Sequence, residues 1–453
     1  MHESLSAVET TRRCLDNIVR LNETVNAFIT VMPEQALADA AEVDAAMGRG
    51  EWPGLLAGMP ISIKDCIDVA GVPCTNGSLF FSNYVPNKDA PVVKRLRQAG
   101  AIIVGKTNLH EFAYGSTTQN PHFGPTRNPW DLDRIPSGSS GGAAAALATD
   151  MCVGAVGSDT GGSVRTPAAV NGVCALRPTV GAIPMSGSKT QLCPAIDTVG
   201  PMARSVVDLA RMFAVMAFYD DDDPTSVRHV WDEILVRLDD GIQGLRIGLP
   251  SNYFFEELAP GIGEAVKHAA EELVSMGARV TEIQLEGADE AHASVMPMVW
   301  ADLYEFHRDR VEHHPDMFGQ DVLNRILLGR SVSGAEYAAA LRWRERWTRV
   351  VERALREVDA ILTPTTPAPA PLIAASTDML ATTHHLTRFT FPFSWVRVPG
   401  LAIPCGFTED GLPTGMQLHG RRWEEGLLLR IGAAFQQQTD WHRRRPPLVP
   451  ARN

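Results

Sequence analysis

Residues 136–167 read PSGSSGGAAAALATDMCVGAVGSDTGGSVRTP, and no other stretch constrains the chain as tightly. Two Gly-Ser-rich turns, Ser137 to Gly142 and Ser158 to Ser163, enclose an alanine-rich segment that should form a tightly packed helix. Glycines let the backbone turn sharply, take positive φ and bring bare N–H groups close to a ligand. Serines in such turns can act as nucleophiles or proton carriers. Two such turns in tandem imply a built, hydroxyl-rich site and not a linker.

The rest of the chain sets the frame. Its 453 residues are 45% hydrophobic, enough for a large core. Length alone suggests two or three domains, although large α/β enzymes exceed that prior as one body. The net charge of −12 and the lack of a long Lys/Arg run give no support for direct nucleic-acid binding. No apolar run reaches the roughly 18 residues of a membrane span, so no membrane partner is expected. The first residues, MHESLSAVETTRRCLDNIVRL, read as an amphipathic helix and not as a signal peptide. Cys14, Cys66, Cys74, Cys152, Cys174, Cys193 and Cys405 lack framework spacing, so reduced thiols in a cytoplasmic protein are expected.

Periodicity suggests helices over residues 4–48, a short β-like run at 59–63 leading to Lys64, and a helix at 91–99 opened by Pro91. A buried strand at 101–105 follows Gly100, and helix–Gly–strand recurs at 262–282. Another strand, 151–157, delivers Asp159 to Ser163 at its C-terminal end, where open α/β sheets place ligands. The acidic stretch 219–227 reads as a solvated loop. Residues 285–358 read as a helical layer or insertion over the site. The Pro-rich 363–371 suits neither helix nor central strand. Strands near 401–404 and 414–418 and a helix near 424–438 close the chain. This alternation predicts an α/β fold.

A serine needs a base to attack, and no histidine lies within either turn. A Ser-His-Asp triad with a distant histidine stays open. Lys64 offers another base, since burial lowers a lysine's pKa and a neutral lysine accepts a proton. Ser139 could relay that proton to a nucleophile. Thr160, Gly161, Gly162 and Ser163 can supply successive N–H donors to an oxyanion. Asp159 and Arg165 could pair and hold the turns in place. Bland readings compete: an isolated GSSGG is more often a flexible loop, and a lysine after a strand is more often a surface charge. Phosphate-binding glycine motifs of the G-x-x-x-x-G-K-[ST] and G-x-G-x-x-G types are absent.

Taken together, these residues resemble the amidase signature family. The resemblance rests on Ser137-Gly138-Ser139-Ser140-Gly141-Gly142, on Gly157 to Ala168 (GSDTGGSVRTPA), and on the Ser139–Ser163 spacing. Pro60 to Asp65 (PISIKD), Gly105 to Gly115 (GKTNLHEFAYG), Asp197 to Ser205 (DTVGPMARS) and Leu401 to Gly406 (LAIPCG) fit as well. The likeness runs from about residue 4 to residue 440, with Ser137 and Val164 as mild departures. It implies one α/β/α body over 1–453 with a mixed central sheet between helix layers. Within that body would lie N-terminal helices at about 4–48, a signature core at about 55–215, a helical layer at about 285–358, and C-terminal strands and helix at about 359–440. It implies Ser163 as acyl nucleophile, Ser139 after a cis peptide bond as relay, and Lys64 as base. Thr160 to Ser163 would form the oxyanion hole, with Ser140, Asp159 and Arg165 bracing the site. The implied reaction is amide hydrolysis without metal or cofactor.

The family includes a glutamine-hydrolysing subunit that feeds ammonia to a tRNA-modifying partner. There, an acidic residue binds the substrate's amino group. The matching position here is near Thr387, and no Asp or Glu lies between Leu380 and Glu409. The segment Gly329 to Tyr337 also lacks the paired tyrosines usual at that point. The expectation is therefore a free-standing amidase for a small-molecule amide, with anilide, carbamate or ester cleavage open to the same chemistry. The ammonia-donating subunit is the alternative. A homodimer is compatible, although no dimer face is readable. Phe112, Tyr114, Phe389, Phe391, Phe393 and Trp395 could line an apolar pocket, with core packing as the commoner role for such side chains. His384, His385 and Arg388 could meet an anionic group or lie on a surface loop. His307, His313, His314 and Glu312 lack zincin spacing.

Overall fold

The computed structural model describes residues 5–189, 192–231 and 233–449. Thirteen strands form among them: β1 (Phe28–Val31), β2 (Pro60–Lys64), β3 (Ile102–Thr107), β4 (Gln119–Asn120), β5 (Gly124–Pro125), β6 (Gly154–Asp159), β7 (Cys174–Arg177), β8 (Thr198–Ala203), β9 (Arg246–Pro250), β10 (Arg279–Ile283), β11 (Ala360–Pro364), β12 (Gly400–Phe407) and β13 (Pro413–His419). Eleven of them build one sheet in the order β1-β3-β2-β6-β8-β7-β12-β13-β11-β9-β10. The sheet is mixed: β3, β2 and β6 run parallel, and so do β11, β9 and β10. The strands between them pair antiparallel, as do β1 and β3.

Alternation along each strand divides the core into two layers. Ile102, Val104, Ala155, Ala175, Met202 and Ala402 join Leu15, Ile18, Val25 and the buried alanines 143–146 on one face. Ile61, Ile63, Ile103, Val156 and Leu176 join Val93, Leu96, Met212, Phe213, Val266 and Leu428 on the other. Helices thus cover both faces, as the α/β/α expectation requires. The first helix of the first layer is set by local chemistry at both ends. Ser6 and Glu9 form a reciprocal capping box at the start of Ala7–Val25, and Asn26 ends that helix in the left-handed region.

Three expectations change, the first at Thr363 and Pro364, which end the strand β11 inside the sheet although the Pro-rich stretch 363–371 was expected to avoid a central strand; Pro364 pairs with Met416 at the strand's end. Residues 4–48 are not continuously helical, because β1 intervenes between Ala7–Val25 and Pro33–Gly48. Asn22 secures the break: its side chain accepts from the Phe28 N–H at 2.8 Å and donates to the Phe28 carbonyl at 3.1 Å. A four-residue strand is too short to show a period in sequence. The acidic loop 219–227 is irregular, but it is not wholly solvated. Asp223 is buried and accepts from the Met185 N–H at 2.6 Å. The region 285–358 holds the helices Ala291–His313, Gln320–Leu327 and Gly334–Glu357.

Candidate active site

Parallel pairing of β2 with β6, with Ile63 opposite Val156, brings their C-terminal ends together. Lys64 ends one strand and Ser158-Asp159 ends the other. The Lys64 ammonium is fully buried and donates to Ser139 Oγ at 2.7 Å and to Ser158 Oγ at 2.8 Å. Burial pushes its pKa down to about 8, and the nearby Cys66, Asp159 and Asp197 hold it from falling further. A fraction of Lys64 is therefore neutral near neutral pH and able to accept a proton.

The two glycine turns face this lysine. The first leads into the helix Gly141–Ala148, whose residues are all buried. A side chain at Gly142 would collide with the carbonyls of Ala27 and Asn108 at 2.5 Å, so only glycine lets this helix start where it does. The Gly138–Ser139 peptide is cis. Ser140 links the turns, its N–H donating to the Ser163 carbonyl at 3.1 Å and its hydroxyl to the Ser158 carbonyl at 3.3 Å. In the second turn, no acceptor among the described residues meets the N–H of Gly161, Gly162 or Ser163. Unspent donors in a turn that ends on a serine suit an oxyanion. Ser163 is 8% exposed and faces the cavity described below. The Lys64–Ser139 half of the expected relay is thus a hydrogen bond. Ser139 and Ser163 are neighbours through Ser140 and share no hydrogen bond in this structure.

Asp159 anchors the second turn from below. Arg165 reaches both its carboxylate oxygens, at 3.0 and 3.1 Å, and Arg177 donates to Oδ1 at 2.9 Å. Burial alone would raise this carboxyl, but the two guanidiniums hold it far below the usual carboxylate range. Arg165 also donates to the Thr390 carbonyl at 3.0 Å and to Ser394 Oγ at 2.8 Å, tying the turn to the helix Phe391–Val396. Ser158 and Arg177 are site residues that sequence reasoning missed. The apolar run CALRP, with an arginine where a buried strand ends, was the available sign of Arg177.

The cavity above Ser163 is narrow, with about 60 Å³ open to the centre of a water molecule. Thr160, Gly161 and Ser163 form its floor, and Tyr114, Leu192, His292, Arg325, His384 and Phe391 stand around it. Tyr114 lines it as expected. Phe112, Phe389 and Trp395 do not. Phe112 packs on Phe318 and His307, Phe389 on Phe254 and Tyr253, and Trp395 on Phe391, all in the apolar core. His384 and His385 lie on the helix Met379–Thr387 and not on a loop. His292 donates to Thr387 Oγ1 at 3.1 Å, because that hydroxyl itself donates to the Thr383 carbonyl. Its other ring nitrogen is then unprotonated, and burial lowers His292 to about 3. Arg325 is buried, pairs with Asp321, and leaves Nη1 without a partner; His384 Nε2 and the Tyr114 hydroxyl are likewise unmatched. No Asp or Glu is among the lining residues. Among the described residues no three His, Cys, Asp or Glu side chains are placed to hold a metal ion.

A mixed α/β sheet carrying a buried lysine, a hydroxyl partner and a serine turn with unspent N–H donors is the setting of a serine-based hydrolase. The chain belongs to the amidase family, whose profile matches residues 9–429. It is 39% identical to the A subunit of the glutamyl-tRNA(Gln) amidotransferase of Carboxydothermus hydrogenoformans, over 98% of this chain and 96% of that one. It superposes with a TM-score of 0.90, at 34% identity, on a chain from a vestigial protein complex described as revealing the evolutionary origins of an s-triazine catabolic enzyme; the match covers 96% of this chain and 95% of that one. Against the A subunit of the Thermotoga maritima glutamyl-tRNA(Gln) amidotransferase the TM-score is 0.81 at 33% identity, covering 96% and 92%. The enzyme is an amidase-signature hydrolase acting on C–N bonds. Among the described residues no helix is long and apolar enough to cross a membrane.

Proposed function

We propose that this chain cleaves a carboxylic amide through an acyl-Ser163 ester. The buried hydrogen bond from Lys64 to Ser139, beside the Ser163 turn, carries this reading. Ser163 Oγ bonds to the acyl carbon while its proton passes through Ser139 to neutral Lys64. The oxyanion is held by N–H groups of Thr160 to Ser163. The C–N bond then breaks, and the proton returns through Ser139 to the leaving nitrogen. Water then bonds to the acyl carbon while its proton passes through Ser139 to Lys64; the bond from the acyl carbon to Ser163 Oγ breaks, the proton returns through Ser139 to Ser163, and the acid departs. Ser140, Asp159 and Arg165 keep the turns in place. No step calls on a metal or cofactor.

The relatives change the weight given to the two physiological roles. Extensive likeness to the amidotransferase relatives supports an ammonia-donating subunit that works with partner proteins, more than the free-standing amidase expected from the sequence. One observation favours the free-standing reading. Among the described residues lining the cavity no carboxylate stands ready for a substrate ammonium, and Arg325, ion-paired with Asp321, keeps Nη1 as a donor without a hydrogen bond, which suits an amide whose far end is an acceptor and not an ammonium. An ammonia donor predicts co-purification with partner chains and weak activity alone; a free-standing enzyme predicts neither. Size analysis of the native protein in cell extract separates the two.

The chemistry is tested by intact-mass measurement after treatment with a broad serine-reactive fluorophosphonate. One adduct on the wild type, absent in Ser163→Ala and slowed in Ser139→Ala and Lys64→Ala, is expected. An adduct that persists in Ser163→Ala would remove Ser163 from the role.

A further inference from the structure

The Thr160 hydroxyl donates to Asp197 Oδ1 at 2.6 Å, and the N–H groups of Leu192 and Cys193 donate to Oδ2 at 2.9 and 3.1 Å. Thr160 opens the turn that ends on Ser163, and Leu192 lines the cavity over that serine. Asp197 therefore stands behind both walls while touching neither the cavity nor Ser163. It is 4% exposed, and all three donors converge on it from the site side. Arg177 adds a second strap, donating to the Ile196 carbonyl at 2.6 Å as well as to Asp159.

We propose that Asp197 is a positioning residue of the acyl-transfer site: its carboxylate ties the Thr160 end of the oxyanion turn to the Leu192–Cys193 backbone and adds a negative charge near Lys64. This rests on the reading of Ser163 as nucleophile. Hydrogen-bond capacity explains why ionisation state matters. A carboxylate accepts all three hydrogen bonds, whereas a carboxylic acid that keeps the Leu192 and Cys193 bonds on one oxygen carries its proton on the other, so the Thr160 hydroxyl must turn round and give up donating to it. The charged and titratable groups facing Asp197 are Arg177 from β7, Lys64 from β2, and Cys193 from its own loop. Burial raises the Asp197 pKa to about 6, with Thr160, the two N–H groups and Arg177 opposing it. Above about pH 6 the carboxylate is charged, the strap is complete and the Lys64 ammonium is favoured. Below it, protonation loosens the strap in the range where Lys64 is already protonated.

Rates of fluorophosphonate labelling, followed by intact mass from acid to alkaline pH, test this. Wild-type labelling should rise as Lys64 loses its proton and fall more steeply once Asp197 protonates. Asp197→Asn keeps size, but with its carbonyl on the Leu192 and Cys193 N–H groups its N–H₂ faces Thr160, whose hydroxyl can no longer donate to it. Its plateau rate should drop about tenfold or more, on the scale of a disturbed oxyanion donor. Its rising limb should also move to lower pH, because Lys64 loses a neighbouring negative charge. Thr160→Val should lower the plateau to a similar extent without moving the limb, Thr160→Ser should restore it, and the double variant should lose no more than either single change. A defect that merely loosened the fold would reduce the labelled fraction and leave the limb in place. An Asp197→Asn plateau within about twofold of wild type, an unmoved limb, or additive losses in the double variant would overturn the proposal. If Asp197→Asn does not fold, the Thr160 pair decides: equal rates for valine and serine overturn it, and loss with valine alone supports it. Labelling that survives Ser163→Ala would instead sink the underlying reading.

Discussion

Asp159 shows how much of the site depends on groups that never meet substrate. It sits fully buried between Arg165 and Arg177, with the Val164 N–H as a further donor at 3.2 Å. Removing its charge would leave two guanidiniums in the core facing each other. Asp159→Asn should therefore cost about 3–5 kcal/mol of stability, the usual consequence of breaking a buried pair from one side. Chemical denaturation at neutral pH measures this, and a loss below ~1 kcal/mol would mean that the arginines find other acceptors. The folded pKa of Asp159 lies below its unfolded value, so its contribution is present above the normal aspartate range and fades as pH falls toward the folded value. The same loss should slow fluorophosphonate labelling, because Arg165 would no longer fix the turn that carries Ser163.

At the scale of elements, the second turn has no spare room. Gly162 has φ +143, and a methyl group on it would overlap the Thr390 hydroxyl, which itself donates to the Gly161 carbonyl at 2.6 Å. Thr390 belongs to the segment opening the helix Phe391–Val396, so turn and helix are keyed to each other. Gly162→Ala should abolish labelling while retaining a folded protein, since either the turn or the helix must shift. Circular dichroism together with labelling reads both halves, and wild-type labelling would show that the turn tolerates displacement. Such keyed elements also explain what the sequence disclosed. The turn residues Ser139, Ser140, Asp159, Arg165 and the Thr160–Ser163 run were legible because each side chain or missing side chain has one job in a contiguous motif. Lys64 was legible from an apolar strand ending in a cation. Arg177, Asp197 as a strap, and Ser158 as a lysine partner were not, because their roles exist only once β2, β6, β7 and the 192–197 loop lie side by side. The aromatic pocket failed for a related reason. Phe112, Phe389 and Trp395 have the composition of a ligand wall, yet each is consumed by neighbouring rings, and composition carries no direction. The strands β1, β7, β8 and β9 were missed because short strands carry little periodic signal wherever they lie in the sheet, whereas the equally short β10 was marked by the helix and glycine before it.

At the scale of the whole molecule, distant chain segments are closed onto one sheet, and Glu425 marks where the last helix joins it. This glutamate is the first residue of the helix Glu425–Gln438 and is fully buried. Its Oε1 accepts from the Thr179 N–H at 2.7 Å, just beyond β7, while the Thr179 hydroxyl accepts from the Trp423 N–H at 2.9 Å. Its Oε2 has no partner. Burial pushes the Glu425 pKa up from 4.5 to about 7, with the Thr179 bonds opposing that rise. A raised acid binds its proton more tightly in the folded state, so its contribution to stability is fully present below the unfolded value and is lost as pH rises through about 7. Glu425→Gln keeps the Oε1 acceptor and cannot ionise. The variant should match wild type at mildly acidic pH and exceed it at alkaline pH by up to about 3 kcal/mol, the free energy linked to a rise of this size. Urea denaturation of both proteins on either side of neutrality decides the matter. The difference between them must grow with pH; a constant offset would mean that Glu425 is neutralised by its surroundings and that the seam between the last helix and the sheet is indifferent to its charge.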